Sequence, residues 1–116
     1  MPIHIPAPVS DEPVAELSPW RVIEVRVKGT TVTRHFMGFN HVTMSGRVSS
    51  PIEEWDPIKH EGVTASGRVY KLKNQPKTGM EIMNMFHIWD KWMEINGIEE
   101  GEWADVTQEY TDDSYD

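Results

Sequence analysis

One short phrase occurs twice in this chain and constrains its fold more than any other feature. Val42-Thr43-Met44-Ser45-Gly46-Arg47-Val48 returns as Val63-Thr64-Ala65-Ser66-Gly67-Arg68-Val69, identical except at the middle position. Ser-Gly is a turn signal, and the Thr, Val and Tyr residues around it favour strands. Each copy therefore reads as a strand end, a tight turn and a new strand starting at the arginine. Gly46 or Gly67 would supply a turn conformation closed to other residues. The segments before and after this β unit read as its cover.

The segment before it alternates. Ile23, Val25 and Val27 fall on one side of a strand over Trp20 to Lys28, with Glu24, Arg26 and Lys28 on the other, which predicts a half-buried strand. Gly29-Thr30 turns the chain into a hairpin partner over Thr31 to Phe39, anchored by Val32, Phe36 and Phe39. After Arg47 the chain runs at period two through Val48, Ser50 and Ile52 to a turn at Trp55-Asp56-Pro57. Ile58 to Thr64 and Arg68 to Lys73 complete the expected strands. Short strands joined by tight turns make a strongly curved antiparallel meander or a small SH3-like barrel.

Past Pro76 the period changes. Thr78 and Glu81 have capping-box spacing, and Ile82, Met85, Phe86, Trp89, Trp92 and Met93 recur at three- and four-residue steps as one apolar stripe. Asn96-Gly97 supplies the stop. A C-terminal helix is expected to cover the open side of the sheet, each large side chain contributing about 1.5–3 kcal/mol on burial. Two tryptophans within one turn leave one at an edge, a natural place for a contact. The expected class is α+β, in a single domain over 20–97. An extended arm over 1–19 carries Pro2, Pro6, Pro8, Pro13 and Pro19, and an acidic, aromatic-containing tail spans 98–116.

The charge is unevenly placed. The net charge is −8, and residues 1–97 hold 11 acids against all 11 Lys and Arg, so the whole excess lies in 98–116. A neutral body and an acidic end argue against direct nucleic-acid binding, which needs clustered cations, and suit a basic partner. With no cysteine there is no disulfide or thiolate metal site. No apolar run approaches a membrane span and no signal-peptide pattern opens the chain, so a cytoplasmic protein without membrane contact is expected.

Three groups of residues are candidates for function. In the tail, Trp103 and Tyr110 interleave with Glu99, Glu100, Glu102, Asp105, Asp112 and Asp113, a pattern suited to laying rings and carboxylates on a basic protein surface. The bland alternative is a solubilising end. Arg47 and Arg68 hold equivalent places in the repeat, so two guanidinium groups could clamp a phosphate or carboxylate, with Trp55 and Tyr70 completing a second surface. Their bland alternative is two solvated strand starts paired with Glu53, Glu54 or Glu61. The histidines His4, His35, His41, His60 and His87 lack zinc-site spacing. No nucleophile elbow, Walker loop or dinucleotide fingerprint is present, so neither catalysis nor a cofactor is expected.

The run Gly46-Arg47-Val48-Ser49-Ser50-Pro51-Ile52, followed by Thr64 to Leu72, resembles a pattern in short uncharacterised proteins of bacteriophages and prophages, over about residues 20–79. Where those proteins often have Gly before Pro after the last strand, this chain has Asn74-Gln75-Pro76. The resemblance transfers no catalytic residue. It implies a phage accessory protein, anti-CRISPR-like, that covers a basic or nucleic-acid-binding surface of a bacterial host complex. The expected function is thus a non-enzymatic inhibitor or modulator, monomeric or a small homo-oligomer. The alternatives are a small-ligand or nucleotide-binding β-barrel module and a structural phage protein.

Overall fold

In the computed structural model the described residues are 12–73 and 80–111, with the side chains of 80–85 excepted. The elements are β1 (Val14–Leu17), β2 (Trp20–Val25), β3 (Thr33–Asn40), β4 (Ser45–Val48), β5 (Ile52–Asp56), β6 (Glu61–Thr64), β7 (Val69–Leu72), the helix α1 (Met80–Asn96) and β8 (Trp103–Asp105). Short 3₁₀ turns occupy Glu100–Glu102 and Thr107–Tyr110. The mixed α+β class stands. The strands sort into two four-stranded sheets, β4-β3-β2-β8 and β1-β7-β6-β5, and no closed barrel is found among the described residues.

Strand β2 sits in the middle because both its faces are apolar. Trp20 and Val22 join Ala15, Leu17, Phe36, Tyr70 and Leu72 in a core between the sheets. Ile23 and Val25, one step out of phase, join Met37, Trp89 and Met93 in a second core under the helix. Strand β2 is therefore covered on both sides, not half-buried: Trp20 and Val22 lie on the face that Glu24 shares, where the alternation of 23, 25 and 27 suggested solvent. Helix α1 presents the described part of the expected stripe, with Trp89 and Met93 buried and Phe86 and Trp92 half-buried, while the side chains of Ile82 and Met85 lie outside the described residues. It ends as expected, with Gly97 at φ 68° and bonds from Ile98 N to Met93 O and Gly97 N to Glu94 O, the Schellman pattern. The capping residue Thr78 lies outside the described residues.

The boundaries expected at residues 20 and 97 do not coincide with gaps in the packing. Of the Pro-rich arm, residues 1–11 lie outside the described set, but residues 14–17 form β1, which pairs with β7 in parallel register, so the sheet is not a pure antiparallel meander. Ala15 and Leu17 are buried. A cis Ser18-Pro19 bond follows, and Phe39 N donates to Pro19 O while Ser18 N donates to Phe39 O. Of the acidic tail, β8 pairs antiparallel with β2. Val106 N donates to Val22 O at 2.9 Å, and the Thr107 hydroxyl accepts from Val22 N at 2.8 Å. These bonds complete the second edge of β2.

The repeated phrase does not fold the same way twice. In the second copy Gly67 takes the turn at φ 90°, as expected, and Gly67 N donates to Thr64 O. In the first copy the turn comes earlier and Met44 holds the left-handed conformation at φ 56°. Gly46 lies inside β4, where an added Cβ would stand 2.1 Å from Ile88 Cδ1 of α1. It is glycine because the helix packs on it, not because the backbone turns there.

Candidate functional site

The two copies still bring Arg47 and Arg68 to one place. Arg47 points inward from β4 and is 0% exposed; Arg68, just before β7, is 4% exposed. Both reach Glu12, the residue preceding Pro13 and β1. Arg47 Nη1 donates to Glu12 Oε1 at 2.8 Å, and Arg68 Nε donates to the Glu12 carbonyl at 2.8 Å and lies 3.7 Å from Oε1. The arginines are therefore not solvated strand starts paired with Glu53, Glu54 or Glu61. They clamp a carboxylate, and it belongs to their own chain. Among the described residues, Arg47 Nε and Nη2 are buried with no hydrogen-bond partner.

Arg68 also lines a cleft of about 480 Å³ where the sheets meet the helix, with Ser50, Ser66, Tyr70, Trp92 and Asn96 on its walls. Ser50 Oγ accepts from Ser66 N at 3.2 Å and ties the two turns together. His35 stands at the back, its Nδ1 bonded to the Ser49 carbonyl at 2.8 Å and its Nε2 paired with the Thr33 hydroxyl at 2.8 Å. A carbonyl only accepts, so Nδ1 carries the proton and Nε2 accepts. Burial pushes the ring's pKa below the usual histidine value, outweighing the bond to Ser49. With both nitrogens engaged, His35 is a neutral structural ring. Trp92, the edge tryptophan, lies against it with centroids 5.1 Å apart.

Trp55 does not share that cleft. It borders a second one of about 200 Å³ with Glu54, Asp56 and Glu61, and stacks on His60 at 5.8 Å. Tyr70 is buried in the core between the sheets. Tyr110 meets Trp55 edge-on at 5.1 Å and accompanies Phe36 at 6.5 Å, so a tail ring joins the surface expected to be separate from it. Trp103 is likewise half-buried, against Phe86 and Trp89 at 5.6 and 5.7 Å. The rings of the tail anchor it.

The carboxylates of that segment divide by task. Asp105 pairs with Arg21 at 2.8 Å, and Glu109 with Arg34 at 2.9 Å. Hydrogen bonds from Arg34 to Tyr110, Glu109 and Glu24 push the Arg34 pKa up, over Tyr110's ring at 5.7 Å. Glu102 accepts from Glu99 N and closes the 3₁₀ turn. Glu99 and Glu100 remain exposed. Asp112 and Asp113 lie outside the described residues. With Arg26 on Glu24 and the two repeat arginines on Glu12, all five arginines pair with acids.

Among the described residues no three His, Asp or Glu groups could hold a metal ion, and no helix is long and apolar enough to cross a membrane. No family model matches the chain, and no curated protein or solved structure is significantly similar to it. Glu12 is the participant that the sequence concealed. It follows a run of prolines, 35 and 56 positions away from its two partners.

Proposed function

We propose that this chain is a non-enzymatic binding protein that presents a preorganised acidic face to a basic protein surface. One observation carries the reading. Every arginine lies within ion-pair distance of a carboxylate of the same chain, while Glu99 and Glu100 stay exposed on a segment pinned by β8, Trp103, Val106 and Tyr110. Carboxylates on an ordered support lose little entropy when they bind. The cleft of Trp55, Glu54, Asp56 and Glu61 adds an aromatic ring among acids, a setting that suits a guanidinium or ammonium group. Arg34, held by Glu24, Glu109 and the Tyr110 ring, is an internal instance of that recognition.

The phage resemblance suggests where such a face acts: in the cytoplasm of a bacterial host, on a complex whose basic surface otherwise holds nucleic acid. The acidic face would cover that surface and inhibit or modulate the complex. Direct nucleic-acid binding is not part of the proposal, because the arginines are already paired. We also read the two sheets as halves of one bent, barrel-like layer, continuous through Ser18-Pro19 on one side and Ser49 to Pro51 on the other.

The test is capture from nuclease-treated bacterial lysate by the full chain and by a Glu54→Lys/Glu99→Lys/Glu100→Lys variant. A host complex retained by the native chain, released as salt rises and lost by the variant supports the reading. Equal retention by both chains would sink it. Deleting residues 98–116 is the wrong test, since Val106 and Tyr110 pack on the core.

A further inference from the structure

We propose that Arg47 and Arg68 form a binding site for a small oxyanion, a phosphate or carboxylate group, whose place the Glu12 side chain takes in this structure. The first support is the unused capacity of Arg47. Its guanidinium is fully buried, yet among the described residues Nη1 alone has an acceptor, Glu12 Oε1, while Nε and Nη2 have none. A buried donor without a partner is costly, and the planar fork of arginine is matched to two oxygens rather than one. Arginine–carboxylate pairs are frequently bidentate, and this one is held through a single bond.

The second support is access. The Glu12 side chain is 19% exposed although the arginine it holds is fully enclosed, so an anion from solvent can compete for the same donors. Arg68, bonded through Nε to the Glu12 carbonyl, also lines the cleft of about 480 Å³. That volume falls in the range that holds small organic ligands. On the cleft side of Arg68, Ser50, Ser66 and Asn96 offer polar contacts and Trp92 a ring for the rest of a molecule bearing the anion. Glu12 thus acts as a tethered competitor. The site uses positive charge and goes beyond the acidic-face reading, so either can fail while the other stands.

The experiment follows the melting temperature of the full native chain and of Glu12→Ala in sodium chloride, sodium phosphate and sodium acetate at matched ionic strength. Glu12→Ala is expected to melt lower than the native chain in chloride and to be restored saturably by phosphate or acetate, by at least about 5 °C. The native chain should need an anion concentration at least about tenfold higher, because Glu12 competes. Restoration by phosphate alone assigns a phosphate site, and by acetate alone a carboxylate site. The effect should vanish in Glu12→Ala/Arg68→Gln. No anion-specific restoration, or restoration that survives Arg68→Gln, overturns the proposal. If Glu12→Ala does not fold in any of the three salts, Glu12→Gln is titrated by amide NMR with inorganic phosphate and with acetate. Unmoved resonances at residues 47 and 68 in both titrations then overturn it.

Discussion

Ile88 occupies the space where a side chain on residue 46 would stand: a Cβ there would lie 2.1 Å from Ile88 Cδ1 and 2.4 Å from Cγ1. Gly46→Ala should therefore destabilise the protein by about 1–3 kcal/mol through overpacking of a buried contact. Ile88→Ala removes the clash, so the double variant should lose less than the two single losses added together. Gly67→Ala meets nothing within 4 Å among the described residues but must hold φ 90°. Its cost, about 1–2 kcal/mol for a left-handed backbone, should be indifferent to Ile88→Ala. Denaturant unfolding of the native chain, the three single variants and the two double variants distinguishes the two cases, and coupling at both glycines would contradict the asymmetry.

Thr107→Val should cost about 1–3 kcal/mol. The substitution keeps the shape but removes the acceptor of the buried Val22 N–H, 2.8 Å away, and the hydroxyl that donates to Asp105 at 2.6 Å. Truncation after residue 97 should be worse. It removes β8 together with the half-buried Trp103, Val106 and Tyr110, each worth up to about 1.5–3 kcal/mol. Thermal unfolding checks both, and a truncated chain melting cooperatively at the native temperature would refute this view of the segment.

Acid should weaken the fold through His35. Its folded pKa lies below the unfolded value of 6.5, because burial disfavours the charged ring. The unfolded chain then binds more protons in the window between the two values. The contribution of His35 is complete above about pH 6.5 and drains away as pH falls toward the folded value. Ring NMR should show His35 mostly neutral at pH 6.5, with its midpoint below that value. A His35 midpoint at or above 6.5 would remove the effect.

Breaking the two kinds of ion pair should give different penalties. Arg21→Met releases Asp105 from a partly exposed bridge and should cost about 0–1 kcal/mol, less in high salt. Glu12→Ala strands the enclosed Arg47 and should cost about 3–5 kcal/mol in chloride. Urea unfolding at two chloride concentrations measures both, and equal penalties would mean that the enclosure of Arg47 has no energetic weight.

Sequence carried the hairpin of β2 and β3, the second repeat turn and the helix with its Gly97 stop, because each has a local cause in periodicity or turn chemistry. It did not carry β1 or β8. Strand β1 is four residues beside a proline run, and β8 is three residues among acids, so neither has a period to detect. The spacing of Trp103, Val106 and Tyr110 was the available signal that residues beyond 98 pack inward. The pairing of Arg47 with Arg68 was visible in the repeat, but their acceptor was not. Glu12 looks like any solvated acid until β1 is laid beside β7. The first Gly-Arg copy also misled, since the helix that explains Gly46 lies 42 positions away.

The Thr107 hydroxyl that caps the Val22 N–H joins positions 85 apart in the chain. During synthesis, β2 and β3 emerge early with one edge closed and the other bare. That bare edge stays available to any extended peptide until residues 103–107 have been made and swing back onto β2. The nascent chain thus passes through a stage with an open strand edge, a known route to association between copies. The acids that crowd the late segment ride in with it and place like charges beside that edge as it closes.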